Sequence, residues 1–217
     1  MTIIETILVA AAFGLLAAYH LFLVREVRLR PDRTAIGHAN RSRQIWVRNV
    51  MEERRDILAV QALRNWNMAA SFLASTSILL AIGILSFLIH SDDVPDILYR
   101  LNFFGSRIEV YFTFKVLILA LCFFAAFFSF SLALRYFNHV SIDITLPVTE
   151  DTRETLGIAA ALFDRGAHHY TVGMRAYYLA IPVTFWFFGP IWLFIAALAL
   201  IAILYRLDHV PATPGKV

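Results

Sequence analysis

Four unbroken apolar runs, Ile3 to Val24, Met68 to Ile89, Val110 to Leu134 and Tyr177 to Tyr205, constrain the fold of this chain more than any other feature. A helix needs about 20 apolar residues to cross a hydrocarbon core, and the runs hold 22, 22, 25 and 29. Each is read as a membrane span. With 59% of residues hydrophobic and 16% charged, a soluble globular domain is excluded. An outer-membrane barrel is disfavoured, because its strands would alternate apolar and polar residues. The expected fold class is all-α: one membrane domain, a multi-pass transmembrane bundle of four helices with amphipathic cytoplasmic helices.

An acid, Glu5, precedes the first run where a secretory signal would carry basic residues, so the run reads as an uncleaved first helix. Orientation comes from the arginines. Ten lie between Arg25 and Arg64, and Arg135, Arg153, Arg165 and Arg175 accompany the loop after the third run. The opposite side holds Arg100, Arg107, Arg206 and Lys216, with Lys115 near its boundary. By the positive-inside rule the two long loops face the cytoplasm and both termini face outward, into the periplasm if the membrane is a bacterial inner membrane. The net charge of +3 belongs to these juxtamembrane arginines, so the expected partners are membrane lipids rather than nucleic acid.

From about Asn40 to Arg64, Trp46, Val47, Val50, Met51, Ile57, Leu58 and Leu63 interleave with basic residues. That pattern predicts an amphipathic helix, lying in the interface or packed on the bundle. A second helical stretch is expected from Glu150 to Phe163, with hydroxyl caps at Thr149 and Thr152 and a stop at Gly166. In the second run Ala70 and Ala74, and Ser71 and Ser75, fall four apart and read as a close-packing face. A brief interfacial helix is expected in the acidic loop Ser91 to Glu109, and Lys115 is expected to snorkel to the head groups. Pro190, after Gly189, should kink the last helix near its middle. The tail from Asp208 to Val217 reads as frayed.

This topology brings polar residues from all four helices to one depth at the cytoplasmic edge. They are His20 on the first helix, Gln61, Arg64 and Asn65 before the second, Asn138 and His139 after the third, and Tyr170 and Arg175 before the fourth. Polar groups at that depth are expensive unless they pair or face a wet cavity. One reading is a cytoplasm-facing pocket for an anion, with Arg64 and Arg175 converging as fork donors and His20 and Asn65 orienting the ligand. Asp56 or Asp164 is the protein acid that would otherwise stand between the two arginines. The other reading is a set of helix-end caps and head-group anchors.

Other chemistry lacks its motifs. The lone Cys122 excludes multi-cysteine metal sites. Adjacent His168 and His169 diverge on a helix. His20 and His139 are the one candidate pair of axial haem ligands, and His139 falls outside the core. There is no phosphate loop and no nucleophile elbow. No cofactor and no catalytic residue are expected.

Several stretches carry a resemblance. Tyr19-His20, Pro31 with Thr34-Ala-Ile-Gly37, Trp46-Val47, Ala59-Val-Gln-Ala-Leu-Arg-Asn65, Met68-Ala-Ala-Ser71, and Tyr170-Thr-Val-Gly-Met-Arg-Ala-Tyr-Tyr178 with Trp186-Phe-Phe-Gly-Pro190 resemble the membrane family catalogued as domain of unknown function 599. The resemblance spans nearly the whole chain and implies a four-span integral membrane protein without an assigned activity. The leading functional expectation is a non-enzymatic protein that binds or moves a small anionic or lipidic ligand, as a homo-oligomer where four helices make too narrow a path. The alternative is a structural or lipid-sensing subunit attached to a membrane-protein partner, and an intramembrane enzyme comes third.

Overall fold

The computed structural model describes residues 3–90, 109–149 and 153–209. Among them are six α-helices: α1 (Ile3–Leu29), α2 (Ala35–Glu52), α3 (Asp56–His90), α4 (Glu109–Asp143), α5 (Arg153–Phe185) and α6 (Pro190–Asp208). Single 3₁₀ turns at Pro31–Arg33 and Trp186–Phe188 lead into α2 and α6. Four helical stretches, Ile3–Leu29, Ile57–Ile89, Tyr111–Asp143 and Pro190–Asp208, are long and apolar enough to cross a membrane. The fold is therefore all-α and membrane-like, as the apolar runs predict. Leu21, Phe72, Leu79 and Leu121 are each 65% exposed or more, a surface suited to lipid rather than water. The interfacial helix expected between Ser91 and Glu109, the cap at Thr152 and the tail beyond His209 lie outside the described residues.

The chain forms two compact units, one drawn from Met1–Asn40, Asp92–Lys115 and Ile181–Val217, the other from Arg41–Ser91 and Val116–Ala180. In the first unit α1 buries Ala12, Leu16, Tyr19 and Leu23, spaced as one helical face, and α6 buries Leu193, Ala197, Leu200 and Leu204. The two helices pack together and run in the same direction. Lys115, which feels the charge of Glu5 near the start of α1, donates to the carbonyl of Trp186 just before α6. At the other end Tyr19 Oη donates to Asp208 Oδ2 at 2.5 Å, and the rings of Phe22 and His209 stack. Beyond α1, Thr34 caps α2: its Oγ1 accepts the Gly37 amide at 3.1 Å and donates to the Pro31 carbonyl at 3.0 Å. A Cβ on Gly37 would stand 2.2 Å from that carbonyl oxygen, so only glycine fits the turn. An antiparallel backbone bridge joins Thr34 to His209.

His209 therefore lies beside the C-terminal end of α1, whereas Ile3 begins its N-terminal end. The expected fourth span, Tyr177 to Tyr205, is not one kinked helix: α5 ends at Phe185, and Gly189 takes φ 133°, ψ 164°, a backbone region essentially reserved for glycine. Pro190, which has no amide to donate, then occupies the first turn of α6.

In the second unit α3 and α5 both run antiparallel to α4. Trp66 meets Phe137 and Ala74 shares a buried cluster with Ala126 and Phe130. Along α5, Phe163, Tyr170 and Tyr177 meet Phe137, Phe130 and Phe123 in turn. The expected helix over 40–64 divides at Glu53–Arg55 into α2 and the first turns of α3. Of its two expected placements the packed one is found, with Trp46, Val47, Val50 and Met51 joining a core with Phe137, Val140, Ile144 and Phe163. Likewise the helix expected to stop at Gly166 continues to Phe185. On α3 the buried face is Ala70, Ala74, Ser77 and Ala81, while Ser71 and Ser75 are exposed.

Candidate functional site

The second unit is built around the contact of α4 with α5. Gly166 and Gly173, seven residues apart, lie against Phe137 and Phe130, also seven apart. A Cβ at Gly166 would come within 2.6 Å of Phe137 Cε1, and one at Gly173 within 2.8 Å of Phe130 Cε1. Missing side chains on α5 thus receive aromatic rings from α4, and this close approach sets the register of the helix. Ala159 and Ala180 continue the same interval and are buried. This signal of small residues at a heptad spacing was available in the sequence, where Gly166 was read as a stop instead.

The register fixes what α5 presents elsewhere. Tyr170 packs edge-on to Trp66 at 5.3 Å and to Phe130 at 5.4 Å. One level deeper the Tyr177 hydroxyl donates to the Leu73 carbonyl at 3.2 Å and accepts from Ser77 Oγ at 3.2 Å. A second line, Asp164, His168, Thr171, Arg175 and Tyr178, recurs at intervals of three and four and forms a polar stripe along one face of α5. Its outer end is occupied: Asp164 Oδ1 accepts from Arg43 Nε at 3.0 Å and Oδ2 from Gln44 Nε2 at 3.0 Å. Thr171 returns its hydroxyl proton to the Ala167 carbonyl. Arg175 is half-buried. Since Tyr177 meets Leu73 and Ser77, Arg175 lies level with about Ser71 to Ser75 of α3, one to two turns past Met68 where the continuous apolar run begins.

The expected site residues fall in both units. His20 belongs to the first unit. Its Nδ1 pairs with the Leu16 carbonyl at 2.8 Å, and its shielded Nε2 has no hydrogen-bond partner among the described residues. The other seven lie in the second unit. Gln61, Arg64 and Asn65 are exposed on the first turns of α3, and Asn138 and His139 are exposed on α4. Asn138 accepts from Asn67 Nδ2 at 3.2 Å, bridging α3 and α4. Trp66 contacts both Phe163 and Tyr170, so Arg64 sits near the level of Gly166. Arg175 lies two to three turns deeper, about 10–16 Å along the axis at 1.5 Å per residue. The common depth expected for the two arginines rested on helices starting at Met68 and Tyr177. These helices start at Asp56 and Arg153, and the carboxylate of Asp164 is held by α2.

Lys115 is placed differently from the sequence expectation. It is 8% exposed, donates from Nζ to the Trp186 carbonyl at 3.0 Å and stands 5.5 Å from the centre of the Trp186 ring. Instead of snorkelling to the head groups, it caps the carbonyl end of α5 where the chain turns. Among the described residues no three His, Cys, Asp or Glu side chains come together as a metal site.

The family described as "Protein of unknown function, DUF599" matches residues 7–212. No curated protein and no solved structure matches the chain.

Proposed function

The chain belongs to the DUF599 family, and from that premise we propose that it is a non-enzymatic bacterial inner-membrane protein that binds or moves a small anionic or lipidic ligand along the polar stripe of α5. The observation that carries this reading is the depth of Arg175. A guanidinium stays charged at any physiological pH, and a cation one to two turns inside an apolar run is expensive unless it is paired, serves an anion or lines a wet path. His168 and Tyr178 flank it on the same face and supply further donors. Arg64, exposed at the helix end, serves as a head-group anchor in this scheme.

The proposal includes an orientation. The start of α1 faces outward, while α2 and the end of α6 face the cytoplasm. Support comes from the ten arginines between Arg25 and Arg64 and from the Thr34–His209 bridge, which puts Arg206 on the same basic side. Within the first unit α6, parallel to α1, then carries the chain toward that basic side.

Native mass spectrometry of the detergent-extracted protein tests the ligand reading. The parent should retain a small anionic adduct. Arg175→Gln should accumulate to the parental level and lose it, and Arg64→Gln should keep it. If Arg175→Gln fails to accumulate while Arg175→Lys restores only folding, the arginine is a structural element and the subunit or scaffold reading takes over.

A further inference from the structure

Helix α2 ends in a way that favours glycine, yet carries an arginine. The Arg55 amide donates to the Val50 carbonyl at 3.0 Å and the Glu53 amide to the Asn49 carbonyl at 2.9 Å. The former is the six-to-one bond of a Schellman stop, which puts the residue before Arg55 in the left-handed region. That residue is Arg54, with φ 54°, the one non-glycine residue with positive φ among those described. A side chain at such a place needs a reason beyond the turn, because glycine would fit with less strain. Its guanidinium makes no hydrogen bond or ion pair among the described residues. The neighbouring acid Glu53 is taken by Arg55 at 2.7 Å.

Arg54 does line a groove. The space holds about 400 Å³; Val50, Met51, Ile144, Leu146 and Pro147 form its apolar floor, and Thr145 and Arg54 complete the lining. All of it lies within the second unit. Its depth follows from the spans beside it: the apolar stretch of α3 begins at Ile57 and that of α4 ends at Asp143. The groove therefore opens where the hydrocarbon gives way to head groups, at the end of the bundle that carries most of the arginines. An occupant there must offer methylenes to the exposed Leu146 and Pro147 and an anion to Arg54.

We propose that this groove is a binding site for an anionic phospholipid, with the phosphate on the Arg54 guanidinium and the glycerol and first methylenes against the apolar floor. The site is separate from the α5 stripe. A free phosphate would satisfy Arg54 and leave the floor bare. A zwitterionic lipid would fill the floor and bring its own cation toward the arginine.

The test uses the full chain in detergent, titrated with phosphatidylglycerol, phosphatidylcholine or inorganic phosphate, read by thermal melting and by retained lipid in native mass spectra. Phosphatidylglycerol should raise the melting temperature of the parent, and the other two should not. Arg54→Gly removes the guanidinium while relieving the backbone, so the variant should fold at least as well. It should bind phosphatidylglycerol about tenfold more weakly, as loss of one charge-assisted contact implies. Arg48→Gln, a charge removed from the exposed face of the same helix, should retain the parental response. An undiminished response in Arg54→Gly, an equal response to phosphate, or an equal response to phosphatidylcholine would each overturn the assignment.

Discussion

Adding one methyl group to Gly166 is the sharpest test of the α4–α5 packing. The new Cβ would lie 2.6 and 2.7 Å from two ring carbons of Phe137 and 3.2 Å from Tyr136 Cβ, where carbon contacts prefer about 3.5–4.0 Å. The ring must retreat by roughly 1 Å. It has nowhere to go: Phe137 is fully buried and held by Trp66 at 5.7 Å and Phe163 at 5.8 Å. Overpacking of this kind costs about 1–3 kcal/mol. Against it stands the better helix propensity of alanine, about 0.8–1 kcal/mol. Sterics win, and Gly166→Ala should lose about 1 kcal/mol net, with a range from about zero to 2.

Gly157 supplies the control on the same helix. Nothing stands within 4 Å of a Cβ there, so Gly157→Ala should gain about 0.4–1 kcal/mol. Equilibrium unfolding of the purified protein in mixed micelles reads both. The two variants should move the midpoint in opposite directions, and trimming the ring with Phe137→Leu should relieve the Gly166→Ala penalty in a double-mutant cycle. If Gly166→Ala proves as stable as Gly157→Ala, the ring does not occupy the glycine's missing side chain and the register of α5 is wrong.

Gly189→Ala should cost about 1–3 kcal/mol, because φ 133° with ψ 164° is strained for any residue with a side chain; thermal melting would show it, and an unshifted midpoint would mean that the turn adopts another conformation. Lys115→Met keeps the length of the side chain but removes the charged donor to the Trp186 carbonyl, which retains only the Gly189 amide at 3.1 Å. Melting should fall by an amount corresponding to about 1–3 kcal/mol, and cleavage between Phe185 and Pro190 should quicken in limited proteolysis.

Hydropathy revealed the spans because lipid demands long apolar helices whatever their partners. It failed at Tyr177 to Tyr205 for the same reason: both arms of the turn are apolar, so no polar residue marks where α5 ends. Gly189-Pro190 was the available signal, and it suits a kink and a reversal equally. Gly166 posed a similar ambiguity, since glycine serves both as a helix stop and as a place for a neighbouring ring. The interval shared with Ala159, Gly173 and Ala180 decides between them. At the site, residue types were legible but depths were not. Arg64 and Arg175 were aligned by where their apolar runs begin, and the helices begin earlier by unequal amounts. Arg54 left no trace, because its left-handed backbone occupies a position where sequence patterns expect glycine.

The side of the membrane reached by the C-terminus separates a single helix from Tyr177 to Tyr205 from a chain broken between α5 and α6. At 1.5 Å per residue α1, with 27 residues, is about 40 Å long, more than the roughly 30 Å of hydrocarbon, so its two ends lie in different head-group layers. His209 is bridged to Thr34, past the C-terminal end of α1, and Asp208 is bonded to Tyr19. A reporter fused after Val217 that works only in the cytoplasm should therefore be active, and the same reporter before Met1 should be silent. A single helix from Tyr177 to Tyr205 requires the opposite result at Val217, because the chain would then end beyond the outer layer with Arg206 among the outward charges. A silent C-terminal reporter, matched by activity of a reporter restricted to the periplasm, would overturn the parallel packing of α1 and α6. It would also remove the turn that Lys115 caps, while leaving the Arg54 groove in place, since that groove is built from the end of α2, the turn after it and the residues that follow α4.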